Sequence, residues 1–252
     1  MRLLVLLGAL LCTTACRLND NANPSADVAT ETPQTPQPEE VDAALTQDWP
    51  DLQRYANANA ELVSGPNERR VVFMGNSILE AWRAMVPDFW REHPNYVVRG
   101  ISGQTTPQML LRFRQDVIDL KPEAVVILAG INDIAHNTGP MTVEQTFGNI
   151  ASMAELATAA EIDVVIASTL PAYDFPWRPG MAPAQKVVKL NGYLRDYAAE
   201  RGHTYLDYFS AMADARPGLR EGLHRDEVHP TAEGYAVMAP LTVEAVERAL
   251  AK

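Results

Sequence analysis

Cysteine is nearly absent from this chain: of 252 residues only Cys12 and Cys16 carry a thiol. Both stand near the start, so no disulfide is expected to staple the body of the protein. The five histidines lack paired ligand spacing, and no metal set is expected. Basic residues are in deficit too, with 21 Lys and Arg against 32 Asp and Glu and no basic run. A formal charge of −11 argues against a nucleic-acid partner, whose phosphates must be neutralised. Solubility accounts for most of that acidity. No G-x-G-x-x-G or P-loop cradle occurs, which leaves a flavodoxin-like nucleotide binder as the weakest reading. Internal repeats are absent. What is present is 47% hydrophobic residues, enough for one substantial core in a single domain.

The longest purely apolar stretch near the N-terminus, 3–11, follows Arg2 and precedes Thr13-Thr14-Ala15, the layout of an export signal. It is too short for a permanent span, which takes about 20 apolar residues. Ending in "TTAC", it resembles a bacterial lipoprotein signal, and Cys16 is the lipidation candidate because Cys12 leaves with the signal. Thr13 stands where that motif usually has leucine, so cleavage after Ala15 without lipid is the alternative. The next stretch, "RLNDNANPSADVATETPQTPQPEE", holds almost no large apolar side chain and cannot offset its own ordering entropy. The expected organisation is a signal peptide over 1–15, a disordered tether over 16–40 and a folded domain over 41–252. Arg17, rather than aspartate, resembles the sorting pattern of outer-membrane lipoproteins. An exported protein, periplasmic or held at the outer membrane by its lipid, is the expectation.

Within the folded part, apolar runs at 70–74, 96–99, 124–129, 163–168 and 204–206 predict strands. Helical spacing over 79–86, 107–118, 143–161, 184–201 and 231–251 separates and follows them. Such alternation means parallel strands with right-handed crossovers, hence a three-layer α/β/α sandwich around a flavodoxin-like five-stranded parallel sheet. Sites on open parallel sheets lie beyond the carboxyl ends of the strands. Four features fall at that edge: Asn76-Ser77 after the first strand, Gly100 to Gln104 after the second, Gly130 to Asp133 after the third, and Asp226 to Pro230 before the last helix.

In "VVFMGNSILEAW" (71–82) a strand breaks at Gly75 and restarts as a helix, which puts Ser77 on the rim at or just before a helix N-terminus. An N-cap is the ordinary explanation of such a serine. A serine hydroxyl becomes a nucleophile when a histidine held by a carboxylate takes its proton. Asp226 and His229, three apart, suit that pairing, with Pro230 expected to open the final helix. Acyl transfer also needs preset donors for an oxyanion. Ser77 N–H, Gly103 N–H and the Asn132 amide are the candidates, although Gly103 also suits a plain turn and Asn132 a plain cap.

Taken in order, "FMGNSI", "RGISGQTT", "LAGINDI" and "DEVHP" resemble the sequence blocks of the SGNH/GDSL hydrolase family. More narrowly they are similar to esterases related to platelet-activating-factor acetylhydrolase subunits. The resemblance runs from Val71 to about Leu250. It implies a serine esterase with Ser77 as nucleophile, His229 and Asp226 as its activators, and Ser77, Gly103 and Asn132 as the oxyanion hole, without cofactor. Asn76 departs from the family's usual aspartate, and a non-catalytic envelope glycan-binding protein on the same fold is the rival class it raises. Short inter-block loops suggest an open cleft, favouring short acyl groups, acetyl above all, on carbohydrate or cell-envelope glycan. Lysophospholipids and thioesters are the alternative substrates.

Specificity is assigned to the loop 170–183, where Tyr173, Phe175 and Trp177 can stack on a sugar ring or cover an acyl chain and Arg178 can meet polar substituents. A proline-stiffened loop whose aromatics pack on the domain is equally compatible. His224 competes with His229 for the base. His93 and His203 read as surface or packing residues, His136 as a loop residue, and Arg112 and Arg114 as a solvated helix face.

Overall fold

The computed structural model describes residues 47–64 and 69–252. The expected signal, the tether and Cys16 lie outside these residues. Five strands form: β1 (Val71–Gly75), β2 (Tyr96–Gly100), β3 (Ala124–Leu128), β4 (Asp163–Ala167) and β5 (Thr204–Leu206). All pair in parallel in the order β2-β1-β3-β4-β5. Every residue of β1 and β3 is buried, as β-branched runs covered on both faces should be.

The helices are α1 (Ala56–Ser64), α2 (Ser77–Met85), α3 (Pro87–Glu92), α4 (Thr106–Asp116), α5 (Ile131–Ile134), α6 (Val143–Ala159), α7 (Pro183–Arg201), α8 (Tyr208–Met212) and α9 (Ala232–Leu250). Helices α2 and α9 cover one face of the sheet, and α4, α6 and α7 the other. Helices α2, α4, α6, α7 and α9 match the spacing of their apolar residues, while the nine-residue α1 adds one that the spacing did not predict. Helices α3, α5 and α8 have six, four and five residues, too few for a periodicity to declare itself. Among the described residues no helix is long and apolar enough to cross a membrane.

Two expectations change here, and the glycine at which β1 breaks gains its reason. Gly75 serves close approach rather than backbone freedom: a Cβ there would meet the Leu128 carbonyl oxygen at 2.6 Å and Leu79 Cδ1 at 2.7 Å. Pro230 does not open the last helix, because Thr231 is the N-cap and its hydroxyl accepts the Gly234 N–H at 3.1 Å.

Arg112 is not on a solvated face. It is fully buried, and its guanidinium donates to Gln104 Oε1 (2.6 Å), Asp116 Oδ2 (2.9 Å), the Gly75 carbonyl (3.0 Å) and the Arg99 carbonyl (2.9 Å). Gly75 ends β1 and Arg99 lies one residue before the end of β2, so Arg112 bridges the carboxyl ends of the two strands, sharing the Gly75 carbonyl with the Ile101 N–H at 3.2 Å. Arg114 is exposed, as expected.

Two further contacts carry the fold into the site. Tyr235 of α9 stacks on Trp82 of α2 with ring centroids 5.2 Å apart, and its hydroxyl donates to the Ile78 carbonyl at 2.7 Å. The helix after the 226–230 turn is thereby locked to the helix that begins at Ser77. On the opposite face Asn191 exchanges hydrogen bonds with the Thr169 backbone, both at 2.8 Å, and so fixes the root of the 170–183 loop.

Candidate active site

Helix α2 starts at Ser77, and the cap is its neighbour: Asn76 Oδ1 accepts the Ile78 N–H at 3.0 Å. An aspartate would make the same bond, so Asn76 keeps the local geometry while removing a charge. Freed from capping, the Ser77 hydroxyl lies 2.9 Å from His229 Nε2. The other ring nitrogen, Nδ1, is 2.8 Å from Asp226 Oδ2 and 3.0 Å from Oδ1.

Asp226 is itself clamped. Its Oδ1 accepts the backbone N–H of His229 at 2.8 Å and of Val228 at 3.2 Å. Partial burial pushes its carboxyl upward, but these bonds and the His229 ring together hold it below the usual carboxylate value. It stays ionised beside the imidazole. Glu227, between them, adopts φ +65°, and its N–H donates to His224 Nδ1 at 2.8 Å. His224 therefore braces the turn, while His229 faces the serine. His93 stacks on Tyr96 with centroids 4.7 Å apart, a packing position.

The three candidate oxyanion donors follow β1, β2 and β3, neighbours in the sheet. The Ser77 and Gly103 N–H groups have no intramolecular partner among the described residues. One Asn132 amide hydrogen goes to the Gln104 carbonyl at 2.9 Å, which sets the side chain and leaves the second hydrogen to donate. Gly103 has φ +78° in a turn closed by Gln104 N–H on the Ile101 carbonyl, a conformation that asks for glycine.

Asp133, beside Asn132, accepts the Thr106 N–H at 3.0 Å and its hydroxyl at 2.5 Å, and so ties α5 to the start of α4. Burial pushes its carboxyl up to about 6, against the opposing pull of those two bonds. A carboxyl raised in the folded state adds stability below its unfolded value, near 3.8, and loses that contribution as pH rises through about 6. Asp133→Asn should therefore gain stability relative to wild type between pH 4 and 7, by up to about 3 kcal/mol. Urea unfolding of both proteins across that range measures it, and a pH-independent difference would refute it.

The four loop residues separate. Phe175 is fully buried and stacks beneath Trp177, with centroids 5.2 Å apart. It cannot touch substrate, because the loop needs one ring as its own core. Arg178 donates through Nη1 to the Ala135 and His136 carbonyls, which straps the loop to the segment after α5. Trp177 is 48% exposed with its centroid 6.3 Å from the His229 ring, and so borders the site. Tyr173, equally exposed, lies under the Arg216 guanidinium at 5.0 Å. Glu80, and the role of Gln104 within the segment after β2, were not assigned from the sequence, since nothing local to either reveals its distant partner. Among the described residues no three His, Cys, Asp or Glu side chains cluster as a metal site requires.

A parallel α/β/α sandwich with serine, histidine and aspartate bonded in series at the carboxyl edge of its sheet defines the class: a serine hydrolase. Comparison with known proteins names the family. Residues 73–237 match the GDSL-like lipase/acylhydrolase family, and the chain belongs to it. A Bacteroides fragilis protein described as an acylhydrolase is similar at 48% identity and TM-score 0.78, over 81% of this chain and 99% of its own. A GDSL-like lipase of Bacteroides thetaiotaomicron is similar at 46% identity and TM-score 0.76, over 79% and 98% of the two chains. An acetylxylan esterase of Geobacillus stearothermophilus shares the fold at 18% identity and TM-score 0.60, over 72% and 95%. No curated protein matches the chain.

Proposed function

We propose that this acylhydrolase removes short acyl groups, acetyl above all, from carbohydrate or cell-envelope glycan through an acyl-enzyme. The single observation that carries the mechanism is the Ser77–His229–Asp226 series at 2.9 and 2.8 Å. His229 Nε2 takes the Ser77 proton as Oγ attacks the ester carbonyl, and Asp226 stabilises the imidazolium that forms. The oxyanion is met by the Ser77 and Gly103 N–H groups and the free Asn132 hydrogen. His229 then protonates the leaving alcohol, and water hydrolyses the acyl-enzyme along the same path.

The carbohydrate assignment is supported by Trp177, a half-exposed indole beside His229, where a departing sugar would sit. Acetylxylan esterases on the same fold are consistent with it. Export and a lipid on Cys16, as the N-terminal sequence pattern leads one to expect, would put such an enzyme at the cell envelope.

A series of p-nitrophenyl esters tests the acyl preference. Acetate should be turned over best, with kcat/KM at least about tenfold lower for octanoate. A rise with chain length would favour the lipid reading instead. Trp177→Ala should raise KM for an acetylated xylo-oligosaccharide about two- to tenfold, the worth of one aromatic stacking contact, and leave p-nitrophenyl acetate unaffected.

A further inference from the structure

Ser102 and Gly103 are both solvent-exposed, and a Cβ built on Gly103 would meet nothing within 4 Å, so the turn stands open at this point. That peptide joins the two central residues of the Ile101–Gln104 turn. Types I and II of such a turn differ chiefly by a flip of this peptide, which reverses the direction of its N–H. An oxyanion donor on a flippable peptide is useful only if one state is held.

Hydrogen bonds anchor the residues on both sides of that peptide. On the near side, Glu80 Oε2 accepts both the Ser102 N–H at 2.8 Å and its hydroxyl at 2.5 Å. On the far side, Asn137 Nδ2 donates to the Gly103 carbonyl at 3.1 Å. The other Glu80 oxygen, Oε1, accepts Arg54 Nη2 at 2.7 Å. Arg54 belongs to a segment, 47–55, that lies outside the family match and crosses the same loop. Its Pro50 carbonyl accepts from Gln104 Nε2 at 2.7 Å, and Tyr55 donates to the Gly100 carbonyl at 2.5 Å.

We propose that Glu80 is a positioning residue that holds the Ser102–Gly103 peptide with its N–H available to the oxyanion, and that Arg54 of the N-terminal strap holds Glu80. A surface ion pair alone would be worth little. Glu80 differs because one of its oxygens takes a backbone donor next to the flippable peptide. The role rests on the esterase reading above.

Glu80→Ala, Glu80→Gln and Arg54→Ala, made in the full chain, test it with p-nitrophenyl acetate. Glu80→Ala should lower kcat about 10- to 30-fold, less than outright removal of a donor, with KM within about twofold. Glu80→Gln retains an acceptor for Ser102 and should recover most of kcat, and Arg54→Ala should fall between. An unchanged kcat in Glu80→Ala, a change confined to KM, or equal loss in both Glu80 variants with a lowered Tm would overturn the role. A wild type that neither turns over nor takes a fluorophosphonate label overturns the esterase reading and this role with it. An active wild type matched by Glu80→Ala overturns only the role.

Discussion

Ser77→Ala is expected to lower kcat by about 10⁵–10⁶-fold and to leave the protein folded. The size follows from the series of bonds. Without Oγ there is no covalent path, and His229 and Asp226 have no proton to move toward an acyl-enzyme. What survives is catalysis by the donors at the carboxyl edge of the sheet, acting on water. Folding should be nearly indifferent, because the one hydrogen bond lost is worth about 1 kcal/mol and Asn76, not Ser77, caps α2. Intact mass after a fluorophosphonate probe gives the direct readout: one label on wild type and none on the variant. A variant that still labels would move the nucleophile elsewhere.

Asp226→Asn is expected to cost about 10⁴ in kcat, through the tautomer it enforces on His229. The backbone N–H groups of Val228 and His229 both point at Oδ1. An asparagine would keep its oxygen on those donors and turn its NH₂ toward Nδ1, where Oδ2 stands 2.8 Å away. Nδ1 would then have to accept, which leaves the proton on Nε2 facing Ser77. A base in that state cannot take the serine proton. Fold and turn should survive, so Tm near wild type with collapsed kcat is the signature, and kcat within tenfold of wild type would refute it. Stability at acid pH adds a second check. Because the Asp226 carboxyl is depressed in the folded state, its contribution is present above the unfolded value and lost as pH falls through the folded one. Asp133 acts in the opposite sense, losing its contribution as pH rises through about 6.

Much of this architecture is legible in the sequence, and particular residues show why. The runs at 71–74 and 124–129 are apolar and rich in β-branched residues because both faces of the sheet are covered, so burial is written into composition. Ser77 and His229 lie 152 positions apart, yet the rule that parallel sheets carry their sites at the carboxyl edge already brings them near one another. Asp226 and His229 are close in the chain, which makes their pairing a local matter.

Polar and aromatic side chains are less legible, because what they touch is set by distant segments. Arg112 in a helical pattern reads as solvated, but carbonyls at the ends of β1 and β2, with Gln104 and Asp116, supply the acceptors that hold it in the core. Phe175 and Trp177, two apart in one loop, divide into a buried ring and an exposed one only once the loop has a body to pack on. Glu80 resembles any acidic residue in the first turn of a helix until Ser102 and Arg54 arrive from opposite directions in the chain. By itself the sequence determined the layers, the parallel sheet and the edge where chemistry is possible, because these follow from periodicity and burial along the chain. Tertiary structure alone decided which polar groups meet and which face solvent, because a hydrogen bond between distant segments leaves no periodic trace in either of them.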